Sequence, residues 1–466
     1  MSYRRRGYGR DRSSGSLWIV ILIALIGAGA FIYTSKSFER NIPSIDIPKF
    51  IYWNRKEPLK IKVSDESNLN SYEVRISDGE KEIIIANELL LEANNEKLVE
   101  INYPQKSVNG SLLDSRASKL QLTFTATDKS NWNFFQGNTV VKKVNVHVDY
   151  KRPDINILSN SYSITQGGSA LVIFQVKDTA LKSFYVKAGG KLFKAQPYKK
   201  EGYYATLVAW PFNRDNFVAS ITAEDMAGNK RVATIPLYLL TKKYKTSWIQ
   251  AKDKFIDGKI SDLIDTEPKY STIENRLEKL KTINETMRLD NEIIIHDLSK
   301  HVSTEMLDSW KIKKFYPLRN GAKVASFGDE RHYYYKDKNH EVSESYHVGL
   351  DMASTKMAKV ITSNPGTVVY DEYNGIYGNM PMLDHGLGLF SLYGHCSNVL
   401  VQKGQKVEAG TVVAQTGLSG LALGDHLHFG ILVQGVEVRP EEWMDTKWIR
   451  DNVEKVFKEA DKMIDG

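Results

Sequence analysis

The residues with chemistry to offer lie in the last third of the chain. Seven of its ten histidines, His332, His340, His347, His385, His395, His426 and His428, fall within 332–428. His426-Leu427-His428 sets two imidazoles at i and i+2. On a strand both point to one face, and Leu427 points to the other. His347-Val348-Gly349-Leu350-Asp351 sets an imidazole and a carboxylate at i and i+4, a spacing that shares a face on a helix or a strand. Neutral imidazole and carboxylate are ordinary zinc ligands, and a catalytic zinc takes three protein ligands and keeps one position open. His347, Asp351 and one histidine of the 426/428 pair complete such a set. The other histidine of the pair, with His395 of Tyr393-Gly394-His395-Cys396-Ser397, is left as a base beside the metal. Cys396 adjoins His395 and raises the alternative of a thiol nucleophile. Strand neighbours point to opposite faces, which turns Cys396 toward the core.

Elements that hold such a site must be strands joined by tight turns. Half of the 32 glycines lie between 321 and 435. Alternating segments such as Thr367-Val368-Val369-Tyr370 and the run from His426 to Val433 predict a β structure there. His385, beside Gly386, reads as a structural turn residue.

In order and spacing these residues resemble the lysostaphin-type (LytM-domain) zinc endopeptidases. The resemblance rests on Ser326-Phe327-Gly328, His347-x-Gly-x-Asp351-x-Ala353, Gly375-Ile376-Tyr377-Gly378-Asn379, His385-Gly386, Tyr393-Gly394-His395, Gly417 and Gly424-Asp425-His426-Leu427-His428-Phe429. It covers about 318–445. It implies zinc held by His347, Asp351 and His428, with His395 and His426 assisting catalysis. It also implies a small, mostly antiparallel β domain with the metal in a groove. Two departures stand out. Gly430 occupies a position where the family often has Glu. The aromatic stretch 329–336 is longer than in many members, and reads either as a wall of the substrate groove or as an exposed loop.

The rest of the chain reads as a mounting for that domain. At 466 residues it has room for about three domains. A single cysteine excludes an intrachain disulfide and a cysteine-only metal cluster. The net charge is +7, of which the arm at 1–12, with five arginines and one aspartate, supplies +4. The remaining +3 is too dilute for a nucleic-acid surface. No charged residue occurs from Ser13 to Ser35, a stretch long enough to cross a bilayer. The preceding arginines put residues 1–16 in the cytoplasm, the span at 17–35, and everything beyond outside. A cleaved signal peptide is the other reading, since Ala28-Gly29-Ala30 fits a cleavage site.

Residues 36–54, with Pro43 and Pro48, read as a linker. Two stretches then recur: Leu69-Asn70-Ser71-Tyr72-Glu73-Val74 with Leu181-Lys182-Ser183-Phe184-Tyr185-Val186, and Phe124-Thr125-Ala126-Thr127-Asp128 with Ile221-Thr222-Ala223-Glu224-Asp225. They predict two tandem β-sandwiches, 55–150 and 151–240, which resemble bacterial immunoglobulin-like modules. Between 241 and 312 the apolar period turns helical, with Ile273, Leu277, Leu280, Met287, Ile294 and Leu298 on one stripe and Asn284 and Asn291 interrupting it. That stripe packs on a neighbouring domain or joins two copies. If it packs on the catalytic domain, it either restricts the groove or only sets its height above the membrane. The zinc peptidase domain comes next at 313–445, then a C-terminal helix at 446–466. The fold expected is mainly β throughout, with one membrane helix.

By resemblance the substrate is peptidoglycan, cut in its cross-linking peptide. Anchored Gram-negative members point to the D-Ala–diaminopimelate bond and to an inner-membrane protein with a periplasmic catalytic domain. Envelope proteins are the expected partners of the sandwiches. The rival readings are a non-catalytic activator of wall hydrolases, as in relatives that have lost zinc ligands, and a scaffold.

Overall fold

The computed structural model describes residues 15–103, 113–114 and 116–466, so the basic arm at 1–12 lies outside the described residues. The chain is mainly β and divides into two compact units, 1–151 with 226–229, and 152–225 with 230–466.

The first unit opens with the helix Gly15–Thr34. Its window Leu17–Thr34 has a mean hydropathy of 2.4 and none of it is buried in the protein. Twenty helical residues span about 30 Å, the thickness of a bilayer's hydrocarbon. Beyond the helix the described residues of the unit form two sheets. In one, Leu59–Ser64 lies between Ser44–Asp46 and Glu96–Ile101, all antiparallel. The other runs in the order Phe50–Trp53, Thr139–Val148, Lys119–Asp128, Leu69–Ser77, Glu82–Leu89. Strict alternation drives Leu120, Leu122, Phe124 and Ala126 inward. They join Ile61, Val63, Val99 and Ile101 of the smaller sheet in one core.

The stretch 36–54 is not the linker its prolines suggest. Ile45, Ile51 and Trp53 are buried, and two strands of the unit lie within it. Pro43 and Pro48 flank those strands and do not interrupt them, where a missing N–H costs no ladder bond.

The repeat seen in the sequence recurs in the pairing. Leu69 stands opposite Asp128 and Ser71 opposite Thr127, with a bulge between. Leu181 stands opposite Asp225 and Ser183 opposite Glu224, with a bulge at the same place. A shared register and a shared bulge reflect the shared spacing of leucine, serine and aromatic positions.

In the second unit the sheets of 154–234 are bonded directly to the C-terminal segment. The Ser169 N–H donates to buried Glu442 at 3.1 Å, and Trp443 Nε1 donates to the Ser169 hydroxyl at 3.1 Å. Ser161 Oγ donates to the Asn452 carbonyl at 2.8 Å and the Tyr198 hydroxyl to Asp461 at 2.6 Å. The segments read separately as 151–240, 241–312, 313–445 and 446–466 thus share one unit.

The peptidase region is an antiparallel sheet in the order Ala322–Ala325, Leu350–Ala353, Leu427–Val433, Leu389–Gly394, Met382–Asp384, Gly366–Tyr370, Lys406–Val407. Helical segments at 253–266 and 276–298 cover one of its faces. Ile283, Met287 and Ile295 pack with Phe390, Leu392 and Leu432. Here the stripe departs from its expected phase: Ile295 is buried and Ile294 is 41% exposed. A wide π-type turn at Thr282–Met287 inserts the shift, because each such turn adds a residue to the helical period. The two interrupting asparagines are latches. Asn284 Nδ2 donates to Ser343 Oγ at 3.0 Å, and Asn291 Oδ1 accepts the Ile376 N–H at 2.9 Å. The region also begins with a strand, Thr246–Gln250, parallel to Asp329–Tyr334.

A fragment 313–466 would strip the helices from Phe390, Leu392 and Leu432 and is expected to aggregate. A soluble fragment with a cooperative urea transition would contradict the shared core. A second expectation concerns Glu442, whose carboxyl burial raises from 4.5 to about 7. The folded state therefore holds that proton more tightly than the unfolded chain. This contribution is fully present below the unfolded value and is lost as pH rises through the folded one. Between those limits it amounts to roughly 3 kcal/mol. Urea midpoints at pH 5 and pH 8 should diverge more for the wild type than for Glu442→Gln, and parallel profiles would refute this.

Candidate metal centre and active-site cleft

Three strands bring the candidate ligands together. His347 ends Glu341–His347, Asp351 is second in Leu350–Ala353, and His428 is second in Leu427–Val433. Asp351 and His428 are directly opposed across their ladder. Gly394 opposes His428 on its other side and leaves the space over the ring open. Gly349 has no room for a side chain, because a Cβ there would lie 2.4 Å from His428 Cε1.

The donor atoms form a small triangle. His347 Nε2 is 2.9 Å from Asp351 Oδ1 and 3.1 Å from His428 Nδ1, and His428 Nδ1 is 2.9 Å from Asp351 Oδ1. All three residues are buried. Bonds of about 2.0–2.1 Å to a tetrahedral zinc set donors roughly 3.3 Å apart, so small outward shifts suffice. The protonation pattern also asks for a cation. His347 Nδ1 lies 2.8 Å from the Ser326 carbonyl, so in the neutral ring the proton sits on Nδ1. Nε2 then faces a carboxylate oxygen, a contact that a proton or a metal cation between them makes favourable. Burial would raise the Asp351 carboxyl, but hydrogen bonds and charge from His347 and His428 hold it well below the usual range. Burial pushes His428 down to about 4.

His395 and His426 stand beside the triangle. Their ring centroids are 4.8 Å apart, and His395 is 5.7 Å from His428. His395 Nδ1 faces the Ser419 carbonyl at 2.9 Å and His426 Nδ1 the Gly424 carbonyl at 2.8 Å. Each ring is therefore oriented to keep Nε2 as a proton acceptor. Burial, followed by His428 and His426, holds His395 well below 6.5. Its backbone sits at φ 63°, the left-handed region that non-glycine residues seldom occupy. The His395 N–H donates to the Tyr377 carbonyl at 2.7 Å.

A cleft of about 380 Å³ opens over the five residues. Arg288, Arg331 and Tyr377 also line it, and sequence reasoning gave none of them an individual role, though Arg331 lies in the stretch 329–336, one reading of which is a wall of the groove. The Tyr377 ring lies 5.4 Å from His428, inside a motif already quoted for the resemblance. Arg331 Nη2 lies 4.0 Å from Asp351 Oδ2, and its Nε donates to Asp329 at 3.2 Å. The stretch 329–336 is thus no loop: Asp329–Tyr334 is the central strand of a sheet, and Arg331 reaches the cleft from it. Arg288 sits on the covering helix Arg288–Leu298, and nothing in the apolar stripe marked it.

His332, His340 and His385 do not line the cleft. His332 stacks on Trp248 at 4.7 Å and pairs with Glu341 at 2.7 Å. His340 is exposed beside Asp337. His385 is buried between the Pro365 carbonyl and Ser391 Oγ, both at 2.7 Å, and burial lowers it to about 4. Cys396 is fully buried and its thiol is pushed up to about 12, which leaves no thiolate for nucleophilic attack.

The antiparallel sheet thus presents a His-Asp-His triangle, a group that could hold a metal ion, flanked by two histidines in one cleft. Residues 345–440 match the profile of peptidase family M23, so this part of the chain is an M23 domain. It is 33% identical over 122 residues to the peptidoglycan DD-endopeptidase ShyA of Vibrio cholerae, covering 26% of this chain and 27% of that one. It is 33% identical over 94 residues to the DD-carboxypeptidase/endopeptidase Mpg of Neisseria meningitidis, covering 20% and 22%. It is 32% identical over 109 residues to the murein hydrolase activator NlpD of Salmonella dublin, covering 23% and 28%. The chain spans about a quarter of the length of these relatives.

Proposed function

We propose that the chain is a membrane-anchored zinc endopeptidase that hydrolyses the cross-linking peptides of peptidoglycan, at the D-Ala–diaminopimelate bond. The observation that carries this reading is the convergence of His347 Nε2, Asp351 Oδ1 and His428 Nδ1 within 3.1 Å. The same cleft holds His395 and His426. Relatives include an activator as well as endopeptidases. Retention of all five positions favours catalysis over activation. The helix Gly15–Thr34 supports anchoring in the inner membrane, with the arginine arm cytoplasmic and everything beyond the helix periplasmic. The sheets of 44–148 are open to envelope partners.

His347, Asp351 and His428 would hold the zinc, which when bound polarises the scissile carbonyl and makes water more acidic. Nε2 of His395 or His426 takes the proton of the attacking water and returns it to the leaving amine. Imidazolium formed at either ring steadies the charge that develops on the carbonyl oxygen. Arg331 steadies the Asp351 carboxylate and so the set of ligands. Arg288, at the rim, receives a free carboxylate of the cross-linked peptide.

A charge-assisted hydrogen bond of that kind contributes about 1.5–3 kcal/mol, so Arg288→Ala is expected to lower kcat/KM roughly 10- to 100-fold. An amidated peptide should lose the same factor on the wild type and nothing further on the variant. An equal loss for both peptides on the variant would remove Arg288 from substrate recognition. For the reaction itself, the test is mass analysis of products from a purified cross-linked muropeptide dimer. Release of two monomers, whose masses together exceed that of the dimer by one water, is the expected result. An intact dimer with zinc-loaded protein would leave the activator reading in its place.

A further inference from the structure

The turn between strands Lys119–Asp128 and Thr139–Val148 is shaped to expose hydrocarbon. Phe134 is 92% exposed and Phe135 76%. Asn133, Phe134 and Phe135 take φ values of 51°, 55° and 70°, a strained region for bulky residues. The turn is nonetheless firmly held. Asp128 accepts hydrogen bonds from the backbone of Ser130 and Asn138 and from Asn138 Nδ2, at 3.0, 2.8 and 2.8 Å. The Asn131 N–H donates to the Ser37 carbonyl at 2.8 Å. Ser130 Oγ and Asn138 Nδ2 donate to the Glu39 carbonyl at 2.5 and 3.0 Å.

Those bonds tie the turn to the residues that come directly after the helix Gly15–Thr34. Phe38 links the two, its ring 6.2 Å from Phe31 of the helix and 6.2 Å from Phe135 of the turn. The Arg40 guanidinium lies 4.8 Å from the Tyr33 ring and 4.3 Å from the Trp132 ring. Aromatic rings and cations gathered at the end of an apolar helix match the composition of a membrane interface.

We propose that residues 132–135 form a second membrane contact, with Phe134 and Phe135 inserted into the leaflet from which the helix emerges. This rests on the reading of Gly15–Thr34 as a membrane span. Lipid is the occupant because the patch is continuous with the helix end through Phe31 and Phe38, and because Arg40 and Lys36 suit headgroup phosphates. The contact fixes the first unit against the bilayer at two points, so that the unit does not swing freely on the helix.

The test uses the full chain in vesicles of phosphatidylethanolamine and phosphatidylglycerol. Single cysteines carry an environment-sensitive fluorophore, and some vesicles contain lipids spin-labelled on the acyl chain. Native Cys396 is fully buried and does not compete. Labels go at Phe134→Cys, at Ile23→Cys in the helix, and at Glu80→Cys in the turn at the far end of strand Leu69–Ser77. Gln136→Cys repeats the reading with both phenylalanines in place. Positions 134, 136 and 23 are expected to shift to the blue and lose emission to the spin-labelled lipid, and position 80 to do neither. Quenching at 23 with 134 and 136 behaving like 80 overturns the proposal. A blue shift at 134 without lipid quenching also overturns it, because a protein surface then covers the turn. No quenching at 23 removes the membrane span itself, and the proposal with it.

Discussion

Asp351→Ala is expected to yield a folded protein that has lost most of its bound zinc. In the proposed set the carboxylate is one of three donors, and it lies 2.9 Å from both other candidate donor atoms. Two imidazoles alone hold zinc weakly, and the nearest further donor, His426 Nε2, stands outside the triangle at 3.7 Å from Asp351 Oδ1. Arg331, on the far side of Asp351, is itself a cation. Polarisation of the carbonyl is worth several kcal/mol, so activity should fall roughly 1000-fold. The fold should survive, because the core of the sheet is built from Leu350, Met352, Leu427 and Phe429 on the face away from the cleft. Elemental analysis of the purified variant, with circular dichroism as the check on folding, decides the matter. Full zinc occupancy in well-folded Asp351→Ala would remove Asp351 from the ligand set.

His395 and His426 should behave in the opposite way. Neither belongs to the donor triangle, so replacing either is expected to leave zinc in place. Activity should fall roughly 100-fold or more if each moves a proton. At position 395 the left-handed backbone calls for two variants. His395→Ala adds a strain that is not chemical, whereas His395→Asn tolerates the conformation and still cannot carry the proton. The two variants should be equally inactive with one zinc each. Turnover near wild type in His395→Asn or His426→Ala would strip that residue of its role.

Much of the candidate site was visible in the sequence, because strand periodicity translates spacing into geometry. The pair at 426 and 428 reaches one cleft across the start of strand Leu427–Val433, where alternate residues share a face, and 347 and 351 reach it from two successive strands, Glu341–His347 and Leu350–Ala353. Glycines in the motifs marked close approaches, as Gly349 against His428 shows. Arg288 was not visible, and Arg331 was visible only as part of the stretch 329–336, which reads either as a wall of the groove or as a loop. They reach the cleft from a strand and a helix whose own patterns record only burial, and their arrival depends on how distant elements pack. The same limit explains the phase of the helical stripe, since the wide turn at Thr282–Met287 has no signature in the apolar spacing. It also explains why 36–54 reads as linker. Ile45, Ile51 and Trp53 are too few and too widely spaced to reveal a period, and prolines dominate the local signal. The recurring stretches were legible because both keep the residues that set one register and one bulge.

The most direct test of zinc-dependent hydrolysis at the His347–Asp351–His428 centre is a metal titration of turnover. The full-length protein, stripped by a chelator, is given increasing zinc while cleavage of a cross-linked muropeptide dimer is monitored. The rate is expected to be negligible without metal and to rise linearly until one zinc per chain, then level off. Asp351→Ala should show no such break. Cleavage that survives complete stripping, or zinc-saturated protein that leaves the dimer intact, would contradict the account.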